Sequence, residues 1–104
     1  MTNKLIGVEG DTEEQNDIPL HGGGGVYPVQ PVTLQSFLYI NNKLVIPNGQ
    51  TYPAHEIATM VASGQSYVYV DGKLVCVEGD IANNPPHTTY GLNCIGQNFV
   101  FIMV

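Results

Sequence analysis

The stretch Tyr67-Val68-Tyr69-Val70-Asp71-Gly72-Lys73-Leu74-Val75-Cys76-Val77-Glu78-Gly79-Asp80 decides how the rest of the chain is read. Two runs of β-branched and aromatic residues flank Asp71-Gly72. Asp-Gly favours the type I′ turn of a two-residue hairpin, because both central residues must take positive φ. The stretch is therefore a β-hairpin, and its second half recurs. Lys43-Leu44-Val45-Ile46-Pro47-Asn48-Gly49-Gln50 follows Phe37-Leu38-Tyr39-Ile40 and the turn pair Asn41-Asn42. Lys4-Leu5-Ile6-Gly7-Val8-Glu9-Gly10-Asp11 stands near the N-terminus. Lys and Arg total three in the chain, and each is the Lys that opens a unit. Chance is a poor explanation for that column, and an internal repeat is a good one.

The unit at the N-terminus has no strand before it. A matching strand lies at the other end, Phe99-Val100-Phe101-Ile102-Met103-Val104. If the two pair, the fold is mainly β: a small cone of three pseudo-threefold-related hairpins with long connecting loops, closed by the N- and C-terminal strands. The connections run over 12–31, 51–66 and 81–97. The first is acidic, contains Gly22-Gly23-Gly24-Gly25, and reads as loop, with Glu13, Glu14 and Asp17 as solvated acids. In the second, Pro53 and Gly64 bracket an expected short helix, since Pro suits a helix's first turn and Gly its C-terminal end. The third, with Asn83-Asn84-Pro85-Pro86, reads as irregular. Tyr39, Tyr67 and Tyr69 lie in strands and read as packing residues.

Length and composition bound the function. A chain of 104 residues suits one domain, 1–104, which buries only ~60–65% of its unfolded surface, so a metal or a partner would matter to its stability. With 12 Gly and 7 Pro, long helices are disfavoured. Charged residues make up 12%, about half the usual ~25%, and a face so poor in charge suits a partner. The net charge of −6 excludes nucleic-acid binding and a polybasic membrane patch, both of which need clustered cations. No apolar run approaches the ~20 residues of a membrane-spanning helix. The N-terminus turns acidic at Glu9, too soon for a secretory signal, so synthesis in the cytoplasm is expected. Cys76 and Cys94 do not make a disulfide scaffold. They read as buried thiols, metal ligands or one of each.

The histidines follow the repeat. His21, His55 and His87 fall one to each connection. In a threefold ring, equivalent loops converge near the axis and bring three imidazoles together. Cys94, just before the closing strand, would complete a tetrahedral His3Cys set, a closed N/S site that suits Zn²⁺. Iron suits a thiolate-bearing set less well. The plain alternative is three unrelated surface histidines, and only the repeat argues against it. Cys76 shares its column with Gly7 and Ile46 and reads as a small buried hydrophobe. Four protein ligands would leave no position for substrate, so the zinc is structural and no catalytic residues are assigned. Other chemistry is absent from the sequence. The glycine run lacks the Gly-Lys-Ser/Thr of a phosphate loop, and no Gly-x-Ser-x-Gly elbow occurs. His55-Glu56 is neither a metalloprotease His-Glu-x-x-His nor part of a zinc-deaminase pattern.

These residues resemble the PAAR-repeat proteins, the sharp tips of contractile injection machines such as phage tails and type VI secretion systems. The family pattern runs turn, Gly-Lys, Pro-Ala-Ala-Arg, one residue, Gly-Asp. Gly72-Lys73 and Gly79-Asp80 match its ends, with Leu74-Val75-Cys76-Val77 in place of Pro-Ala-Ala-Arg. Lys4 with Gly10-Asp11 and Lys43 with Gly49 match likewise, with Gln50 in place of Asp. The literal Pro-Ala-Ala-Arg is absent, so the chain resembles a divergent member. The resemblance implies a β cone whose broad base caps a trimeric β-helical spike, one tip per trimer, with no homo-oligomer. It implies zinc at the vertex held by His21, His55, His87 and Cys94, a place at the tip of a virion tail or injection apparatus, and transient contact with a target outer membrane. Three rivals stand beside it. A threefold β module could bind cell-surface carbohydrate through its six Tyr. A zinc hydrolase would need one of the four ligands to be free. A toxin-bearing tip would need a C-terminal extension, whereas this sequence ends on the expected closing strand at Val104.

Overall fold

The tight turns form as their residue types require. In the computed structural model, which describes residues 2–17 and 22–104, Asp71 and Gly72 have φ of 49° and 75°, and Asn41 and Asn42 have 54° and 62°. Eleven short strands follow in chain order: β1 (Asn3–Leu5), β2 (Thr12–Asn16), β3 (Gly24–Pro28), β4 (Tyr39–Ile40), β5 (Lys43–Leu44), β6 (Thr51–Tyr52), β7 (Ala58–Thr59), β8 (Tyr69–Val70), β9 (Lys73–Leu74), β10 (Thr88–Thr89) and β11 (Phe101–Met103). No helix occurs among the described residues, so none there is long and apolar enough to cross a membrane.

Three antiparallel pairs carry the repeat. β4 pairs with β5, β8 with β9, and β1 with β11, in matching register: Tyr39 faces Leu44, Tyr69 faces Leu74 and Phe101 faces Leu5. The terminal strands therefore meet where the other two pairs have a turn, and Thr2 and Val104 exchange both backbone bonds at 2.8 Å.

The pairs are joined to one another by a closed cycle of backbone bonds. The Gly7 amide donates to Cys76 O at 3.0 Å, Cys76 to Ile46 O at 2.9 Å, and Ile46 to Gly7 O at 3.0 Å. A second cycle lies beside it: Glu9 donates to Leu44 O, Asn48 to Leu74 O and Glu78 to Leu5 O, at 2.7, 2.7 and 2.8 Å. The shared Gly of each unit turns the chain out of the cycle with φ near 90° (94° at Gly10, 88° at Gly49, 90° at Gly79), a region that suits only glycine.

Side chains repeat the same logic. Gln35, Gln65 and Gln97 are buried, and each makes four bonds. Each Nε2 donates to two carbonyls: Leu38 and Val45, Val68 and Val75, or Val100 and Ile6. Each Oε1 accepts two amides: Phe37 and Leu38, Tyr67 and Val68, or Phe99 and Val100. Each glutamine thus clasps its leading strand to its following strand. The last residue of each unit braces the chain that enters the hairpin. Asp11 Oδ1 takes the Ile95 and Gly96 amides, Gln50 Oε1 takes those of Thr33 and Leu34, and Asp80 Oδ1 takes the Ser63 hydroxyl. The apolar interior follows in two layers. Ile6, Val8, Ile40, Val45, Val70, Val75, Val77 and Ile102 fill the hairpin layer. Val29, Val32, Ile46, Tyr52, Met60, Cys76, Leu92 and Cys94 are among those filling a second layer under the connections.

Three sequence expectations are corrected. The helix expected over 53–64 is absent. Ala58, Met60 and Ala62 are buried while Thr59, Val61 and Ser63 are exposed, a period of two that fits a strand. Thr59 bonds Asn83 in both directions, and that pairing outweighs the Pro/Gly bracket. The first connection is not loop throughout, since β2 and β3 pair over Thr12–Asn16 and Gly24–Pro28, and β10 joins the far side of β2. Tyr39, Tyr67 and Tyr69 are not packed inside but exposed at 55–58%, because the buried residues of each leading strand are the alternate ones, Ile40 and Val70.

Replacing any one of Gln35, Gln65 or Gln97 by Ala should cost about 2–4 kcal/mol, the effect of stranding several buried backbone groups at once. The three losses, measured by urea unfolding, should agree closely because each glutamine makes the same four bonds.

Candidate metal centre

β2 organises the region where the connections meet. Its N-terminal end lies beside Asn93 through the Thr12–Asn93 bonds. Its C-terminal end lies between Thr88 on β10 and Gly24 on β3. Strand alternation turns Glu13, Gln15 and Asp17 inward and leaves Glu14 exposed. These side chains hold the second connection. The Tyr52 hydroxyl donates to Glu13 O. Gln15 Nε2 donates to Glu56 O at 2.6 Å while the Glu56 amide donates to Gln15 Oε1 at 2.9 Å. The segment bearing His55 is thereby fixed against β2, and the β10 pairing fixes the segment bearing His87.

Both imidazoles then converge on Asp17, which is fully buried. Asp17 Oδ1 is 2.9 Å from His87 Nδ1, and Asp17 Oδ2 is 3.7 Å from His55 Nε2. Glu56 Oε1 lies 3.8 Å from the same His55 nitrogen. The glycine run has a role here. A Cβ at Gly23 would sit 2.7 Å from His55 Nε2, so the backbone passes the ring at a distance that no larger residue allows.

The structure brings His55 and His87 together and does not bring Cys94 to them. Cys94 is buried in the second core layer, its thiol directed at Leu5 O at 3.7 Å and beside Asp11, and burial together with Asp11 pushes that thiol well above its ordinary pKa. Asn93, its neighbour, bonds Thr12, whereas Asp17 lies beyond the other end of β2. Five residues of strand separate those two points by roughly 16–17 Å. His21 lies outside the described residues. Cys76 is fully buried in the core.

Among the described residues, no three His, Cys, Asp or Glu side chains are placed so that they could hold one metal ion. Beside the two imidazoles, Asp17 Oδ2 is buried and has no hydrogen-bond partner among the described residues. Sequence reasoning missed Asp17 by reading it as solvated. The alternation in Thr12-Glu13-Glu14-Gln15-Asn16-Asp17 was the available signal.

Glu13 has a different environment on the same strand. Its Oε1 accepts the Ala82 amide at 2.8 Å while Oε2 is buried without a partner. Burial, reinforced by Asp80 and opposed by the Ala82 amide, raises its pKa from 4.5 to about 7.

Comparison with protein-family models, with curated proteins and with solved structures finds no match to the chain.

The raised Glu13 pKa predicts a pH dependence of known sign. Below pH 4.5 the folded and unfolded chains both hold the proton, but between 4.5 and about 7 the unfolded chain releases it first, so folding stability falls across that window. The loss from this residue should be about 3 kcal/mol. Glu13→Gln should remove it, read as the difference between the two proteins' urea midpoints across the range.

Proposed function

We propose that the protein is a tip of the PAAR-like kind: a non-enzymatic cap, seated one per trimer on a trimeric β-helical spike. The observation that carries this reading is the pair of closed backbone cycles through Gly7, Cys76 and Ile46 and through their neighbours. They support a pseudo-threefold relation among three hairpins of one chain, and a single copy with that symmetry can match a true threefold partner. On this reading the hairpins form a cone and the connections run toward its vertex.

Exposed apolar side chains support a docking face. Phe37, Tyr67 and Phe99 occupy one repeat position, and Tyr39, Tyr69 and Phe101 another, all at least half exposed. Six rings repeated threefold, on a chain that is only 12% charged, suit burial against a partner's apolar end. The same rings would suit stacking on sugars. That second reading needs no trimeric partner and no metal.

In the tip reading, His55 and His87 are metal ligands, with His21 as the third in sequence, and the ion is zinc ahead of iron. A bound ion would supply a structural crosslink between connections that have little core of their own. The chain's residues do the rest: the glutamines hold each hairpin rigid, and β2 carries that rigidity to the histidine-bearing segments.

Mixing the protein with a trimeric β-helical spike should give one chain per trimer by native mass spectrometry. Three chains per trimer, or none, would sink the docking model. Replacing Tyr39, Tyr69 and Phe101 together by Lys should weaken that complex at least tenfold and leave the melting temperature nearly unchanged. Verified metal removal should lower the melting temperature by about 10 °C, since each kcal/mol is worth ~4–8 °C in a domain this size.

A further inference from the structure

Resting on the docking reading above, we propose that the spike's end face carries carboxylates around an apolar centre, and that Lys4 and Lys43 receive them. The chain has nine Asp and Glu against three Lys, so every cation could have been neutralised internally. Lys73 is: its Nζ lies 3.8 Å from Asp71 Oδ2. Lys4 and Lys43 form no ion pair among the described residues, and Lys43 Nζ reaches the Asn41 carbonyl at 3.5 Å. The charges are also segregated. Asp71 is the one acid within the strands and turns of the three hairpins, and the others lie at the unit ends or in the connections. The lysines share one register position, opposite Ile102, Ile40 and Val70. A partner meeting the hairpins therefore meets aromatic rings and cations, which an apolar centre with an anionic rim complements.

Two glycines make room for the free lysines. Lys4 Nζ lies 3.3 Å from where a Gly64 Cβ would stand, and Lys43 Cδ lies 3.2 Å from the same point at Gly96. Each lysine thus reaches across to the segment that leads into the next hairpin, just before an exposed ring, Tyr67 or Phe99. Gly64 and Tyr67 line an open cleft of about 370 Å³ together with the polar Ser63 and Ser66, so a carboxylate entering there would find the Lys4 ammonium and two hydroxyls. Asp80 and Asp11 border the same two glycines but are already engaged. Asp80 accepts from Val77 and Ser63, and Asp11 from Val8, Ile95 and Gly96. At the third equivalent position Leu34 replaces glycine, and the remaining lysine, Lys73, is the one paired within its own turn. A lipid surface rich in phosphate would offer similar charge, but three cations on a chain of net charge −6 are too few to hold it.

The test uses the full chain and three versions of one trimeric β-helical spike, with Glu, Gln or Lys at a single ring position around an apolar end face. At low salt the Glu spike should bind about 5–20-fold tighter than the Gln spike, and the Lys spike more weakly than both. The difference between Glu and Gln should close as NaCl rises toward about 1 M. Lys4→Gln and Lys43→Gln should each weaken binding to the Glu spike about 2–5-fold and leave binding to the Gln spike unchanged. Lys73→Gln should change neither as much. Should a lysine variant melt lower, the three spikes with the unaltered chain decide the matter alone. Equal affinity for all three spikes at low salt overturns this inference and leaves the tip reading standing. Binding to none of them, or binding only to vesicles of phosphatidylcholine and phosphatidylserine, overturns the inference together with the docking reading.

Discussion

Three backbone amides, those of Gly7, Ile46 and Cys76, each donate to a carbonyl of another member of the same trio. A closed cycle of this kind constrains all three hairpins at once. No hairpin can tilt or slide without breaking bonds to both neighbours, and buried backbone groups cannot be left without partners at small cost. The polar clasps follow from it. Chain reversal just outside the cycle leaves amides and carbonyls that no ladder reaches. Gln35, Gln65 and Gln97 take them up on one side, and Asp11, Gln50 and Asp80 on the other. Hydrogen bonding therefore does much of what a larger apolar core would do in a larger domain, and strands only two or three residues long suffice.

The connections use the opposite strategy. Away from the cycle they have one strand of five residues, β2, as their common support. Among the described residues, the histidine-bearing segments reach it by main-chain pairing, through Gln15 and through Asp17. The inward face of that strand carries Glu13, Gln15 and Asp17 where an ordinary sheet would carry Val or Ile. Glu13 tolerates its burial by holding a proton near neutrality. Asp17 meets two imidazoles instead. Two acids four residues apart thus solve the same desolvation problem differently, according to what the neighbouring connection presents.

The hairpins were legible in the sequence because their signals are local and stereochemical. Asp71-Gly72 and Asn41-Asn42 demand positive φ, Gly10, Gly49 and Gly79 mark the same exit, and the lysine column fixes the alignment. The closing strand was legible because a repeat with a missing half predicts where the half must be. The connections were not, because their structure is set by partners distant in sequence. Residues 53–64 carry helix punctuation, yet Ala58, Met60 and Ala62 are drawn inward in strand alternation by the Thr59–Asn83 bridge. Glu13 and Asp17 look solvated until the segments of Ala82, His55 and His87 come to lie against them. Cys94 was assigned by its place just before the closing strand, which tells nothing of which end of β2 it faces. Asp17, which His55 and His87 both approach, was not found because nothing in its own neighbourhood of the sequence shows which connections come to lie against it.

The three positions of the ring carry unlike side chains. A homotrimer is obliged to say everything in triplicate: one carboxylate near its axis means three, with their mutual repulsion, and one small residue in its ring means three. Here the ring positions are Gly7, Ile46 and Cys76, three different volumes on equivalent backbone. Writing the three parts in one polypeptide lets the backbone stay regular while the side chains break rank, so charge and bulk can be tuned at one corner without being copied to the others.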